Sequence, residues 1–248
     1  MIKRVILCEG KTDAILLSYY LIEILQCQYI RNRKIFPNII QDRVTEWYED
    51  KNGYIAICAI QGNKFLEAVQ EILFQNSISE AEQCFTKIII ITDHDDESSE
   101  TMIAQIKEVF TSKSIEPVIS CDGTFWNICR MENKFFEKYT VEYVCQLIPP
   151  DEEGALETFV VEMLTKVQDE ARRKDNQAAI RQIEDFLKSF TSERYLKKRR
   201  ERVKAKLSIT LSIMSPDRTF STINEILQSI EWKKFDTYQQ TFSFLKEI

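Results

Sequence analysis

Residues 88–95 read IIIITDHD, and this stretch decides the fold. Four consecutive isoleucines leave no polar face, so the run predicts a strand that is buried on both sides of a sheet. The strand ends abruptly in two acids, Asp93 and Asp95. Two other apolar runs stop in a similar way, because residues 5–13 read VILCEGKTD and residues 55–64 read IAICAIQGNK. Each run is followed by an amphipathic helical pattern, and this alternation predicts parallel β-α units.

The rest of the chain divides into a less regular segment and a helical one. Residues 28–53 are basic, then contain a proline, then tryptophan and tyrosine among acids, and we interpret them as an insertion or lid. Weaker strand patterns occur at 117–120 and 141–148. A pair of prolines at 149–150 marks a boundary. The sequence therefore predicts an α/β domain with a parallel sheet flanked by helices over residues 1–149, and a mainly helical region over residues 150–248.

The composition excludes several kinds of site. The 248 residues include one histidine, His94, which excludes zinc sites built from several histidines and leaves one candidate for any histidine-based nucleophile activation. Only five glycines are present, which does not support a glycine-rich nucleotide fingerprint. The formal net charge is −6, with 39 acidic and 33 basic residues. A surplus of carboxylates favours chemistry that uses a metal ion with oxygen ligands.

The cysteines and the apolar runs indicate a compartment. The seven cysteines are widely spaced and form no CxxC pair, so we expect reduced thiols. The amino terminus reaches an acid at Glu9, too early for a secretory signal, and no apolar run approaches the ~18 residues that a membrane helix needs. We therefore expect a soluble, cytoplasmic protein with no membrane partner.

The acids at the strand ends predict a metal centre. The carboxyl ends of neighbouring parallel strands lie at one edge of a sheet, so Glu9, Asp13, Asp93 and Asp95 are expected to lie close together. Like charges at one place raise carboxyl pKa values and cost stability unless a cation is present. Mg²⁺ or Mn²⁺ prefers carboxylate and water oxygens and is the predicted cofactor.

The two acidic motifs, EGKTD at residues 9–13 and Asp93-His94-Asp95, together resemble the TOPRIM domain. That domain is shared by topoisomerases, bacterial primases, small ribosomal-RNA maturases and OLD-family nucleases, and it has a parallel sheet flanked by helices. The resemblance covers about residues 1–120 and is nearest to the stand-alone TOPRIM-like proteins. It implies that Glu9 is a general acid/base, that Asp93 and Asp95 bind Mg²⁺, and that Gly10 permits close backbone approach with Asp13 as a supporting acid.

Three further side chains complete the predicted chemistry. Hydrolysis of a phosphodiester needs a cation that neutralises the transition state, and Lys64 or Lys11 can supply it. Glu157, in an acidic stretch after the boundary, is a candidate ligand for a second metal. The ordinary alternative for Lys64 is a lysine at a helix start. For the four acids at the strand ends it is a helix cap or a solvated loop.

A basic run after residue 193 is the candidate nucleic-acid contact. The run contains eight basic residues between Arg194 and Lys206, and the candidate contacts within it are Lys197, Lys198, Arg199, Arg200 and Arg202. A cluster of this kind neutralises phosphates along a nucleic-acid backbone, and the alternative is the solvated face of a helix.

These features predict a Mg²⁺-dependent enzyme acting on phosphodiester bonds of DNA or RNA, with a nuclease first among such enzymes. The alternative is a non-catalytic module that keeps the metal for binding nucleic acid or a partner. A sugar-nucleotide transferase leaves Glu9 and Asp13 unexplained. A haloacid-dehalogenase phosphatase normally has its D-x-D motif near the amino terminus. A protein partner or a homo-oligomer stays open.

Overall fold

The chain forms two compact units in the computed structural model, which describes residues 2–31, 38–40, 43–60, 64–94, 97–120, 126–149, 154–167, 169–191, 195–218 and 223–248. The first unit comprises Met1–Leu147 together with Phe244–Ile248, and the second comprises Ile148–Ser243. The sequence analysis assigned the whole chain end to the helical region, whereas the structure groups its last residues with the first unit.

One mixed sheet of eight strands forms the frame of the first unit. The strands are β1 (Ile2–Cys8), β2 (Gln28–Ile30), β3 (Thr45–Asp50), β4 (Gly53–Ala59), β5 (Phe85–Asp93), β6 (Ile119–Ser120), β7 (Asn127–Glu132) and β8 (Lys138–Ile148). Their order across the sheet is β2-β3-β4-β1-β5-β8-β7-β6. The three strands predicted from continuous apolar runs, β1, β4 and β5, therefore lie side by side at the centre.

The direction of the strands differs between the centre and the flanks. Strand β1 pairs in parallel with β4 on one side and with β5 on the other. The pairs β2–β3, β3–β4, β6–β7 and β7–β8 are antiparallel. The expected parallel sheet is confirmed for the centre only. Consecutive strands joined by tight turns, such as the turn between Asp50 and Gly53, can pair only in the antiparallel direction.

The described part of residues 28–53 belongs to this sheet, which corrects its interpretation as an insertion or lid. Strand β3 alternates between two buried surfaces, so Trp47 packs into the main core while its neighbour Tyr48 is buried outside that core cluster. Because apolar residues occur at consecutive positions, the two-residue alternation typical of a half-exposed strand is lost.

Helices cover the central strands on both faces. Helix α1 (Lys11–Tyr19) continues into a π-helical turn at Tyr20–Ile24, and α2 (Phe65–Ile78) and α3 (Glu97–Lys113) follow. Leu7 of β1 packs with α2 and α3 in one core cluster. The adjacent Ile6 is also fully buried, and α1 contacts β4. Burial of successive residues is what a strand with no polar face predicts.

The second unit is helical, as expected. Its helices are α4 (Leu156–Thr165), α5 (Glu170–Ser189), α6 (Arg199–Met214), α7 (Ile223–Gln228) and α8 (Asp236–Thr241). Asn176 of α5 is buried and donates a hydrogen bond of 2.6 Å to the carbonyl of Leu164 in α4. Trp232 is fully buried and lies 5.9 Å, ring centre to ring centre, from Tyr238.

The end of the chain is bound within the first unit. Leu245 is fully buried, the Trp126 indole donates to the Glu247 carboxylate at 2.9 Å, and the Lys87 ammonium donates to the Glu247 carbonyl. These contacts explain why the last residues group with the sheet. Among the described residues, no helix combines the length and the hydrophobicity that a membrane crossing requires.

Candidate metal centre

Two predicted site residues meet where β1 and β5 end. Cys8 is level with Ile91 in the parallel register, so Glu9 follows β1 at the height where Thr92 and Asp93 complete β5. One carboxylate oxygen of Glu9 accepts a hydrogen bond of 2.9 Å from the Thr92 hydroxyl and one of 3.2 Å from the Asp93 backbone N–H. Glu9 and Asp93 are both less than a tenth exposed. The structure therefore brings these two acids together.

Asp13 lies on the first turn of α1, where its charge acts on the Cys8 thiol at the end of β1. Its carboxylate accepts a hydrogen bond of 2.9 Å from the backbone N–H of Gly10, and its side chain is 8% exposed. A β-carbon added at Gly10 would stand 3.2 Å from the Asp13 carboxylate, closer than most such contacts, so glycine makes room for this bond. An acid in the first helical turn is also favoured by the helix dipole. We call Glu9, Asp13 and Asp93 the carboxylate cluster.

The pKa of the Cys8 thiol depends on the charges near the end of β1. Burial raises the pKa of the Cys8 thiol well above its ordinary value, and the nearby negative charges of Asp13, Glu46 and Glu9 add to the rise. Three carboxylates therefore lie close enough to the end of β1 for their charges to act on Cys8. A cation bound there would be attracted by several carboxylates at once.

Glu46 is an acid near this region that the sequence analysis did not identify. It lies on β3, and one of its carboxylate oxygens accepts hydrogen bonds from the Ser18 hydroxyl at 3.1 Å and the Tyr48 hydroxyl at 3.0 Å. The available signal was the polar position between Thr45 and Trp47, which a strand would place on the face opposite Trp47.

The two predicted cations lie at starts of helices. Lys11 is the first residue of α1 and is exposed. Lys64 is the exposed N-cap residue of α2 and lines a cavity of about 330 Å3 together with Arg43 and Ile60. Ile60 donates its backbone N–H to the Cys8 carbonyl at 2.9 Å, which places the start of this cavity beside the end of β1. Arg43 is a further cation that the sequence analysis did not single out.

Asp95 and residues 61–63 lie outside the described residues. Among the residues that are described, no group of three or more histidine, cysteine, aspartate or glutamate side chains has a metal-binding arrangement.

Glu157 lies in the second unit, on the first turn of α4. Its side chain is 15% exposed, and a carboxylate oxygen lies 3.8 Å from the ammonium nitrogen of Lys204 on α6. This ion pair joins two helices of the same unit.

The basic run divides into exposed and structural residues. Lys197, Lys198 and Arg199 are exposed at the start of α6, and the side chain of Arg200 is outside the described part. Arg202 instead donates to the carbonyl of Leu187 at 2.6 Å and to that of Phe190 at 3.5 Å. Its guanidinium therefore satisfies carbonyls at the end of α5, where a cation is favoured.

Comparison with known proteins gives a family and a fold. The family described as "Protein of unknown function (DUF3226)" matches residues 3–248. No curated protein matches the sequence. The crystal structure of the hypothetical protein PH0156 from Pyrococcus horikoshii OT3 is similar over 100% of this chain and 95% of its own, with a TM-score of 0.60 and 14% identity, which shows a shared fold. A lactoylglutathione lyase from Agrobacterium tumefaciens aligns with 58% of this chain and 92% of its own at 8% identity, but its TM-score of 0.18 carries no argument.

Proposed function

This chain belongs to the DUF3226 family, and we propose that it is a Mg²⁺- or Mn²⁺-dependent enzyme that acts on phosphodiester bonds of nucleic acid, with cleavage by hydrolysis as its reaction. The observation that carries the proposal is the attachment of Glu9 to the end of β5 through Thr92 and Asp93. It holds two buried acids at adjoining strand ends, which is the arrangement that the TOPRIM resemblance leads us to expect.

The residues of the carboxylate cluster suit a hard divalent cation. All three offer carboxylate oxygens, the donor type that Mg²⁺ and Mn²⁺ prefer. The raised pKa of Cys8, caused first by burial and then by neighbouring carboxylates, indicates negative charge that a cation would balance. Asp93 and Asp13 would hold the metal, and Asp95 is the further ligand that the sequence predicts. A bound ion would supply polarisation of a phosphoryl oxygen and a more acidic water.

Glu9 would act as the general base. Its two hydrogen bonds fix one carboxylate oxygen, so the orientation of the carboxylate is set before substrate arrives. Lys64 and Lys11 would neutralise the charge that develops on the phosphate, because both lie at helix starts at this end of the parallel strands.

The exposed cations at the start of α6 would bind the phosphate backbone. Lys197, Lys198 and Arg199 are exposed, as a backbone contact requires, and Arg200 continues the run. The contact is electrostatic, so it does not choose between DNA and RNA. We assign Arg202 a capping role instead, since its guanidinium donates to the Leu187 and Phe190 carbonyls at the end of α5.

We also propose a TOPRIM-like first unit and a cytoplasmic location. The parallel centre β4-β1-β5 supports the first proposal. The six described cysteines carry free thiols, which is typical of a reducing compartment and supports the second.

The test is metal-dependent cleavage by the full chain of labelled single-stranded DNA, double-stranded DNA and RNA. We expect cleavage with Mg²⁺ or Mn²⁺ and none with a chelator. Glu9→Gln and Asp93→Asn should each lower the rate by a factor of ~10² or more, because they remove the base and a metal ligand. The matched controls are Glu82→Gln and Asp175→Asn, which make the same chemical changes at exposed positions.

Two results would contradict the proposal. Equal cleavage rates for Glu9→Gln and Glu82→Gln would show that Glu9 is not the general base. If Mg²⁺ stimulates binding of nucleic acid but no substrate is cleaved, the protein is a non-catalytic binding module and not a nuclease.

A further inference from the structure

A second concave site lies at the opposite end of the same strands, where β1 and β5 begin. It is a cavity of about 550 Å3, lined among others by Lys3, Trp47, Gln75 and Phe85. This volume falls in the range of sites that enclose small organic ligands. Lys3 and Cys8 are five residues apart on one strand, so the cavity is about 17 Å from the end that carries Glu9. The two sites are therefore separate.

One wall of the cavity includes two aromatic side chains, Trp47 and Phe85. The rings of Trp47 and Phe85 are stacked with centres 6.3 Å apart and planes 30° apart. Trp47 is 5% exposed and Phe85 is 6% exposed, so both are fixed by the core behind them. Ile39, also almost fully buried, extends the apolar surface. The small exposed part of each ring can pack against a planar ring in an edge-to-face or offset arrangement.

The rest of the lining offers amide groups with unused hydrogen-bonding capacity. Asn38 accepts from the Thr45 N–H at 3.1 Å through its oxygen, and its amino group donates to no described residue. Gln75 donates to the Ile39 carbonyl at 2.6 Å and to a glutamate on its own helix, while its oxygen accepts from no described residue. Gln83 accepts from Lys3 at 2.8 Å, and its amino group has no described acceptor. Donors and an acceptor are thus both available.

The charge of the lining favours a neutral ligand. Its described residues include one cation, Lys3, and one acid, Glu80. Burial lowers the pKa of Lys3, and its ammonium already donates to Gln83. A phosphate would find no second cation among the described lining residues to balance its charge.

We propose that this cavity binds a neutral planar heterocycle of nucleobase size, with its ring against Trp47 and Phe85 and its polar edge bonded by Asn38, Gln75 and Gln83. A free nucleoside has this chemistry, because its base carries both donors and acceptors around a flat ring. The proposal is independent of the carboxylate cluster and of nucleic-acid cleavage.

The experiment measures binding by the full chain in a chelator, so that no divalent metal contributes. Adenosine, guanosine, cytidine, uridine and their 5′-monophosphates are titrated separately by calorimetry, with ribose and inorganic phosphate as further probes. The decisive variant is Gln75→Leu, and its matched control is Gln70→Leu, which makes the same change at an exposed position of the same helix. Gln83→Met is a second variant at an exposed residue, which tests the cavity even if Gln75→Leu fails to fold.

We expect at least one nucleoside to bind saturably, and its monophosphate to bind no more tightly. Gln75→Leu or Gln83→Met should weaken that binding by about tenfold, whereas Gln70→Leu should leave it unchanged. The proposal is overturned if no nucleoside binds below about 5 mM. It is equally overturned if both cavity variants bind like the wild type, or if only the phosphorylated forms bind.

Discussion

Acidic side chains lie near both ends of β1, and their hydrogen-bond partners differ in charge between the two ends. At the amino end, the Arg4 side chain is 1% exposed and donates to both carboxylate oxygens of Asp50, at 3.0 Å and 2.5 Å. At the carboxyl end, the hydrogen bonds to Glu9 come from the Thr92 hydroxyl and the Asp93 N–H, and Asp13 accepts from the Gly10 N–H. The first acid meets a cation, while these bonds to the others come from neutral donors.

The charge of the donors decides how far the charge of each acid is balanced. Burial acts to raise the pKa of Asp50, but the hydrogen bonds from Arg4, Asn52 and Gly53 and the charge of Arg4 lower it overall. Neutral donors fix the position of a carboxylate without cancelling its charge. The two neutral donors therefore fix one carboxylate oxygen of Glu9, whereas the charge of Asp50 is paired with Arg4 within the fold.

Neutralising one acid at each end of β1 in metal-free buffer should have the largest effect on stability. Asp50→Asn should lower the free energy of unfolding by about 3 kcal/mol, because it leaves Arg4 buried without its partner charge. Asp93→Asn should change it by less than about 1 kcal/mol, because like-charge repulsion is relieved. Urea unfolding measures both, with Glu49→Gln as the control on the same strand as Asp50. Equal losses at the two ends would refute the distinction.

Mg²⁺ should raise the free energy of unfolding by binding at the carboxyl end of β1 and not near Asp50. If Mg²⁺ binds the carboxylate cluster, a concentration of 100 times Kd raises the free energy of unfolding by about 2.7 kcal/mol. The thermal midpoint should rise with Mg²⁺ for the wild type and for Asp50→Asn, and this rise should disappear in Asp93→Asn. Potassium chloride at the same ionic strength is the control. A rise that survives in Asp93→Asn would place the metal elsewhere.

The substitution Thr92→Val tests whether the hydrogen bond from the Thr92 hydroxyl orients Glu9. This variant keeps the shape of the side chain but removes the hydroxyl that donates to Glu9. We expect kcat for cleavage to fall by about tenfold with KM little changed, because the base is less well oriented. Thr86→Val is the matched control, since Thr86 lies on the same strand and its hydroxyl donates to the Lys3 carbonyl at 3.5 Å. Equal effects of the two variants would make the Thr92 bond merely structural.

The smallest expected effect is a dependence of stability on pH. The pKa of Asp50 is lowered in the fold, so its contribution is complete above the ordinary carboxyl range, near pH 4, and is lost as the pH falls through the lower folded value. Urea unfolding should therefore show an extra loss for the wild type relative to Asp50→Asn below about pH 4. Parallel pH curves for the two proteins would contradict this.

The centre of the fold could be predicted from the sequence, and its edges could not. Strands β1, β4 and β5 are continuous apolar runs, and burial on both faces removes any polar position from the pattern. Strand β3 was missed because Trp47 and Tyr48 are buried on consecutive positions in a segment that is otherwise polar. Strand β7 pairs only with antiparallel neighbours, and its mixed sequence, Asn127–Glu132, contains no continuous apolar run.

The candidate site was predictable to the same extent as the strands that carry it. Glu9 and Asp93 follow the ends of two predicted strands, so placing the strands side by side places the acids together. Arg202 and Glu157 were harder, because their partners, the carbonyls of Leu187 and Phe190 and the ammonium of Lys204, lie on other helices. Charge patterns along a chain do not reveal such partners.

The sequence by itself determined the central parallel strands and the acids at their ends, since both depend on residues that are neighbours in the chain. Tertiary structure alone decided which charges are matched, as for Asp50 and Arg4, and which amides and rings meet to form the cavity beside Trp47. Those outcomes depend on side chains that are far apart in sequence and are brought together by strand order and helix packing.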